Sequence, residues 1–425
     1  MIRNIKGTKD LLPDDTIKWR FIESKIHKIL GSYGYGEIRT PVFESTDLFI
    51  RGIGNETDIV SKEMYSWLDQ GKKSLTLRPE LTAPVVRSYI QNNLQSLGPM
   101  TKLYYFDSLF RRERPQAGRQ RQFHQYGIEA IGSEFPEQDA EVIEIAYNIY
   151  KQFNIEKLAV RINTIGSPSI RENYLKILKQ SLAKYKSHLS LVSQQRLENN
   201  ALRIFDSKNK DDKKIVEDNA PFIFDHISDE DLNHFNQLKK ILDKINIPYF
   251  HDKKLVRGLD YYTRTTFEIT SKNLGAQDAL CGGGRYDKLV NQLGGKNTPA
   301  VGFAAGVERL LMLIKDQTFN KHDNMKIYIS ILGSQNIPDA MKITSDLRMN
   351  TNLNIIIESN RRSLKSQMRE ANRQKCRYVI MIGENELENK MVIVKNMLNS
   401  EQEKIAIKDL NNYFDKISDL NKKIN

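Results

Sequence analysis

Apolar residues recur at helical spacing over residues 16–33, where Ile17, Phe21, Ile22, Ile26, Ile29 and Leu30 share a face. Gly31, Gly34 and Gly36 end that run, and residues 37–43 then read as a strand whose Pro41 suits an edge or a bulge. Residues 102–110 and Gln122–Ile131 read as two further strands. The stretch between them, 111–121, is basic and polar with Pro115 and Gly118, so the pattern predicts a hairpin that holds cations at its tip. Ser169 and Glu172 have the spacing of a capping box ahead of Tyr174, Leu175, Leu178, Leu182 and Tyr185. A charged spacer, 207–214, precedes a helix that starts near Ser228 and carries Leu232, Phe235, Leu238, Ile241, Leu242 and Ile245. Residues from about 167 to about 250 therefore predict a mostly helical insertion in a strand-rich core, which resumes near Leu255.

After Lys315 comes a polar linker, 316–324, and the pattern changes. Strands at 327–332, 354–358 and Tyr378–Ile382 alternate with helices at 338–348 and Leu364–Arg373. That alternation predicts a small α/β domain over 326–425, behind a larger domain at 1–325. The charged residues near the C-terminus read as solvated faces of a final helix.

Composition narrows the classes. A hydrophobic content of 39% with 28% charge describes an ordinary soluble globular chain. No run of about 18 apolar residues predicts a membrane span, and the opening residues Met1 to Lys6 lack an apolar targeting core, so the cytoplasm is the expected compartment. Two cysteines, Cys281 and Cys376, are too few for a disulfide framework or a zinc cluster, and the seven histidines show no metal-binding spacing. Neither a protein-bound metal nor a prosthetic group is expected. The net charge of +12 favours a polyanionic partner, although a Lys-rich bias accounts for it equally well.

Three segments concentrate chemistry-bearing residues. Arg257-Gly258-Leu259-Asp260-Tyr261-Tyr262-Thr263 and the later Arg285-Tyr286-Asp287, behind Gly282 to Gly284, offer a fixed cation and phenol hydroxyls beside a Gly-rich turn. Arg111-Arg112-Glu113, with Arg119 and Phe123 beyond, sets guanidinium groups for phosphate next to an acid and an aromatic ring. Residues 300–313 form a small-residue turn leading into an apolar helix with Gly306-Val307-Glu308-Arg309. Each alone has an ordinary structural explanation: a solvated loop, close packing, a surface arginine. Their occurrence in order along one chain is the stronger signal.

Taken together, RGLDYYT, GGGRYD, Arg-x-Glu with Arg-x-x-x-Phe, and Gly-x-Glu-Arg resemble the signatures of the histidyl-tRNA synthetases, a class II aminoacyl-tRNA synthetase family. The helix–strand–proline unit around Pro41 is similar to the motif found at the dimer interface of that class. The resemblance implies an α+β catalytic core, an antiparallel sheet flanked by helices, with a helical insertion and a C-terminal α/β anticodon-binding domain. It implies ATP contacts from Arg111 (α-phosphate), Glu113 (adenine edge), Arg119 and Arg309 (γ-phosphate) and Phe123 (adenine face). It further implies a histidine pocket of Glu80, Thr82, Gln125, Glu129, Arg257, Tyr261, Tyr262 and Tyr286. Glu80, Thr82 and Gln125 would take the ammonium, Arg257 and Gln125 the carboxylate, and Glu129 with Tyr262 the imidazole. Arg257 and Arg111 would be the catalytic pair, and Arg114 and Gln116 would meet the tRNA. Implied partners are L-histidine, ATP with Mg2+, tRNA(His) and a second copy of the chain. One position departs from the family: Leu81 stands where Gly is usual in Pro-Glu-Gly-Thr, and a Leu that had to take φ > 0 would push Glu80 or Thr82 out of register. Alternative classes are a non-catalytic paralogue that regulates histidine biosynthesis and a pure tRNA-binding module. Both would be expected to have lost the Arg and Tyr signatures or the ATP motifs, which this chain retains.

Overall fold

The computed structural model describes residues 2–54, 57–116, 118–257, 259–274, 278–315 and 325–424, with the side chains of Asp206 and of residues beyond 417 set aside. The polar linker at 316–324 and Gly258 of the signature segment lie outside the described residues. The chain divides into two compact units, Met1–Phe319 and Asn320–Asn425.

The first unit is built on an eight-stranded sheet. Its spatial order is Gly36–Glu37, Thr101–Phe110, Gln122–Ile131, Ala300–Gly306, Ala279–Arg285, Thr263–Ser271, Leu158–Thr164 and Tyr249–His251. The six central strands pair antiparallel, and only the two short edge strands pair parallel to their neighbours. Helices Pro13–Ser32, Pro136–Gln152 and Asp229–Lys244 bring apolar residues to one core with the sheet, among them Ile22, Ile26, Ile143, Ile149, Phe235, Leu238, Phe267 and Phe303. Ser228 caps the last of these helices, its hydroxyl accepting from Asp231 N at 3.1 Å. The second unit has a five-stranded sheet ordered Asn354–Ile357, Lys326–Ile331, Tyr378–Ile382, Met391–Asn396 and Gln402–Ala406. Its first three strands are parallel and joined by helices, and the last two form an antiparallel hairpin that the sequence pattern does not predict.

Several sequence expectations are corrected. Residues 37–43 are not one strand: Glu37 ends an edge strand of the large sheet, and Phe43 begins a strand of a separate three-stranded sheet with Ser74–Leu77 and Tyr65–Leu68. The Ser169–Glu172 capping box does not form, because Pro168 starts the helix Pro168–Ala183 and places Ser169 inside its first turn. The spacer at 207–214 is mostly helix, Lys210–Asn219, capped by Asn209. Gly282 to Gly284 lie in a strand rather than a turn, and so do residues 300–306.

An ion network buried under this sheet joins elements distant in sequence. Arg285 and Asp139 are both fully buried; Arg285 Nε donates to Asp139 Oδ1 at 3.0 Å and Nη2 at 2.5 Å. Asp139 also meets His234 Nε2 at 2.8 Å and accepts from the Thr265 hydroxyl at 2.6 Å. Arg285 donates further to the carbonyls of Ser133 and Phe135. Breaking such a pair leaves a desolvated charge behind. Arg285→Met is expected to lower the unfolding free energy by about 3–5 kcal/mol in urea denaturation, and a loss below about 1 kcal/mol would contradict this account of the network.

Candidate active site

The central strands converge on a cavity of about 430 Å3. Its walls include every residue assigned above to ATP or histidine: Glu80, Thr82, Arg111, Glu113, Arg119, Phe123, Gln125, Glu129, Arg257, Tyr261, Tyr262, Tyr286 and Arg309. Arg114 and Gln116 stand apart, exposed at the tip of the hairpin loop, where Gln116 and Arg119 exchange backbone hydrogen bonds at 3.1 and 2.9 Å.

The floor is acidic and buried. Glu129 lies on strand Gln122–Ile131 opposite Gly302, where a Cβ would sit 2.1 Å from its Oε2, so only glycine leaves space for the carboxylate. Thr82 Oγ1 donates to Glu129 Oε1 at 2.8 Å, Tyr105 Oη donates to the same oxygen at 3.3 Å, and Tyr286 Oη donates to Oε2. Burial pushes the Glu129 carboxyl up to about 8 against the opposing pull of these hydrogen bonds. Glu80 is pushed up to about 7, again by burial, although it accepts from Thr82 N at 2.7 Å and Ala83 N at 3.0 Å. Those two bonds satisfy the first free N–H groups of helix Thr82–Gln91.

Leu81 does not have the conformation feared for it. Its φ is −116° and ψ −15°, an ordinary backbone for any residue, and its side chain packs with Val85, Tyr105 and Leu109. Glu80 and Thr82 both line the cavity with Leu81 in place.

The cations are tied to backbone and acid. Arg111 Nε donates to the Pro79 carbonyl at 2.8 Å, and its guanidinium lies 5.2 Å from the Phe123 ring centre. Arg119 Nη1 donates to Glu113 at 3.1 Å, so the two residues assigned to opposite ends of ATP face each other here. Arg309 Nη1 donates to the Ala279 carbonyl at 2.5 Å, and burial lowers its pKa, with Arg119 adding to the effect. Arg257 pairs an acid on strand Thr263–Ser271. Its Nη1 donates to Glu268 at 2.8 Å, and the guanidinium crosses Gly282, where a Cβ would lie 1.9 Å from Nη2. The Gly run is therefore explained by close approach within a sheet.

The phenols occupy distinct places in the cavity wall. Of the three tyrosines assigned to the histidine pocket, Tyr286 donates to Glu129, while Tyr262 lies against Tyr261 and Arg257. Tyr261 joins the set through ring contacts at 4.8 Å to Tyr262 and 5.6 Å to Tyr286. Sequence reasoning missed Tyr105 and Glu268, which carry no local signal. Gly127 offers a trace of the former, since a Cβ there would meet Tyr105 Oη at 2.4 Å.

Glu80 and Glu129 retain protons in the folded chain over a range where the unfolded chain has lost them. Their stabilising contribution is full below the ordinary value of 4.5 and is lost as pH rises through about 7 and about 8. In urea titrations the protein is expected to lose stability from about pH 5 to about pH 8, and Glu129→Gln to lose on the order of 1–3 kcal/mol less over that range. Parallel pH profiles for the two proteins would contradict a raised Glu129.

Comparison with known proteins agrees with this geometry over nearly the whole chain. The family model described as Histidyl-tRNA synthetase matches residues 7–310, and the model described as Anticodon binding domain matches 326–417. The chain is 45% identical over 413 residues to the histidine–tRNA ligase of Chlorobium phaeobacteroides, covering 96% of this chain and 95% of that one. It is 43% identical to that of Macrococcus caseolyticus over 418 residues, 97% and 99% of the two chains. The crystal structure of apo S. aureus histidyl-tRNA synthetase superposes with a TM-score of 0.81 at 38% identity, covering 97% of this chain and all of that one. The sheet, its glycine-lined carboxylate floor and these matches lead to one conclusion: the chain belongs to the histidyl-tRNA synthetase family.

Proposed function

We propose that the chain activates histidine with ATP, forming histidyl-adenylate and pyrophosphate, and then passes the histidyl group to the terminal ribose of tRNA(His) with release of AMP. The observation that carries this reading is the union, in one cavity, of a buried carboxylate floor with the guanidinium groups of Arg111, Arg257 and Arg309. A zwitterionic amino acid with a ring N–H fits the first, and a nucleoside triphosphate the second.

In this reading Glu129 accepts the imidazole N–H, and an N–H donor favours its ionised form. Tyr262 serves the other ring nitrogen. Thr82, whose proton is committed to Glu129, keeps its oxygen as an acceptor for the ammonium beside Glu80 and Gln125. Gln125 and Arg257 hold the substrate carboxylate for in-line attack on the α-phosphorus, where Arg111 and Arg257 stabilise the charge that develops. Phe123 stacks on adenine and Glu113 meets its edge. Arg119 leaves Glu113 for the γ-phosphate, which it shares with Arg309. Mg2+ travels with ATP as part of the substrate. The phosphates and water hold that ion, and the arginines donate to the phosphate oxygens it leaves uncovered.

The same reading includes a homodimer and a cytoplasmic location. Support for the dimer comes from Val42, Phe43, Trp67 and Leu68, exposed apolar residues in and beside the small three-stranded sheet. Among the described residues no helix is long and apolar enough to cross a membrane. In this reading Arg114 and Gln116 meet the tRNA end, which their exposure at the loop tip supports. A regulatory paralogue would have no need of this full set of cations.

Pyrophosphate exchange into ATP, run with each amino acid in turn, is expected to proceed with histidine alone. Arg257→Ala should cut it by roughly 10²–10³, the usual cost of one donor to a developing oxyanion. Exchange that ignores histidine would sink the reading, and a fall below about fivefold would make Arg257 merely structural. Replacing Arg114 and Gln116 together with Ala is expected to lower tRNA charging while sparing exchange. Equal losses in both reactions would remove them from the tRNA contact.

A further inference from the structure

The helical insertion grips the loop that carries the signature tyrosines. Arg171, on helix Pro168–Ala183, donates through Nη1 to the carbonyl of Asp260 at 2.6 Å and to that of Tyr262 at 3.3 Å. These carbonyls flank Tyr261, so a single guanidinium spans the backbone on both sides of it. Nη2 of the same group stands 3.5 Å from Asp260 Oδ1. Asn200, at the end of helix Leu191–Asn199, donates to that oxygen at 2.6 Å. On the opposite side Asp260 N reaches the Ile53 carbonyl at 3.4 Å, and Gly54 leaves room for the carboxylate, since a Cβ there would lie 2.8 Å from Oδ2. Asp260 is thus held between the catalytic core and the insertion.

The space behind the tyrosines makes this grip consequential. Tyr261 and Tyr262 line the catalytic cavity and also a second cavity of about 350 Å3, beneath the insertion, whose other walls include Arg171, Leu175 and Lys288. The wall between the two spaces is only the thickness of these residues. A packed core resists displacement from every side; a partition with space behind it depends on the groups that fix its backbone. Among the described residues, Arg171 and Asn200 do so from the insertion.

We propose that Arg171, assisted by Asn200, is a positioning residue for histidine binding: it fixes the Tyr261–Tyr262 partition in the shape the amino-acid pocket requires. The inference rests on the synthetase reading and gives the insertion a part in the first half-reaction, in which no tRNA takes part. Arg171 touches no substrate. Its effect passes through the loop, so it should act on histidine and leave the nucleotide half of the cavity alone.

The test is pyrophosphate exchange without tRNA, with the KM for histidine and for ATP measured separately, together with calorimetric binding of histidine. The unaltered chain is measured first. Absence of histidine-dependent exchange there refutes the synthetase reading itself; with exchange present, the variants test Arg171 alone. Arg171→Gln is expected to raise the histidine KM by about tenfold or more, since sub-ångström misplacement of a substrate-positioning group is felt strongly, while the ATP KM stays within about twofold. Calorimetric affinity should fall in parallel. Asn200→Ala should move the histidine KM the same way by a smaller factor, and Arg171→Lys, which can reach one carbonyl, should recover part of the loss. A histidine KM within about twofold of the unaltered value in both Arg171→Gln and Asn200→Ala would overturn the proposal, as would equal proportional changes in both KM values. If Arg171→Gln does not fold, Asn200→Ala and Asp260→Asn carry the same test: a selective rise in the histidine KM supports the proposal and an unmoved one refutes it.

Discussion

The carboxylate of Glu129 is buried at the floor of the cavity, and the elements around it hold it there. It lies between strands with glycine opposite it, and three hydroxyls from separate parts of the chain point at its two oxygens. A buried acid so held stays protonated at a pH where a free one is ionised, until a donor arrives that favours the charge. The fold serves this constraint. Gly302 supplies the space, the helix from Thr82 brings one hydroxyl, strand Thr101–Phe110 another, and the segment after Arg285 a third. Arg285 is in turn fixed by Asp139, so the position of Tyr286 is inherited from an ion pair deep beneath the sheet.

The cationic half follows a second rule. Three guanidinium groups on the cavity wall are tied to fixed oxygens: Arg111 to Pro79, Arg309 to Ala279, Arg257 to Glu268. Such ties orient donors before the nucleotide arrives, which is how a preorganised site reduces the reorganisation that water would require. Arg119 differs, being held by the acid Glu113 of its own loop; in the proposed function it exchanges this carboxylate for phosphate when nucleotide binds.

Much of this was legible from residue types in order. The basic hairpin loop, the paired tyrosines and the Gly-x-Glu-Arg segment all supply residues to one cavity, and the alternation beyond residue 325 marks a separate α/β unit. What was illegible depends on register across strands distant in sequence. Nothing near Glu268 says that it faces Gly282 and therefore Arg257. Nothing near Tyr105 says that Gly127 makes room for its hydroxyl beside Glu129. Glycines misled for the same reason: read locally they signal turns, whereas Gly282 to Gly284 sit in a strand because side chains and backbone cross over them. Leu81 misled through analogy, since its backbone asks nothing that a leucine cannot supply.

The central claim, that Glu129 waits protonated and ionises when histidine binds, is open to infrared difference spectroscopy near neutral pH, comparing the protein with and without histidine. A protonated-carboxyl band should be present in the free protein, disappear when histidine is added, and be missing from Glu129→Gln throughout. A band that histidine leaves untouched, or a spectrum that Glu129→Gln shares with the unaltered chain, would contradict the account.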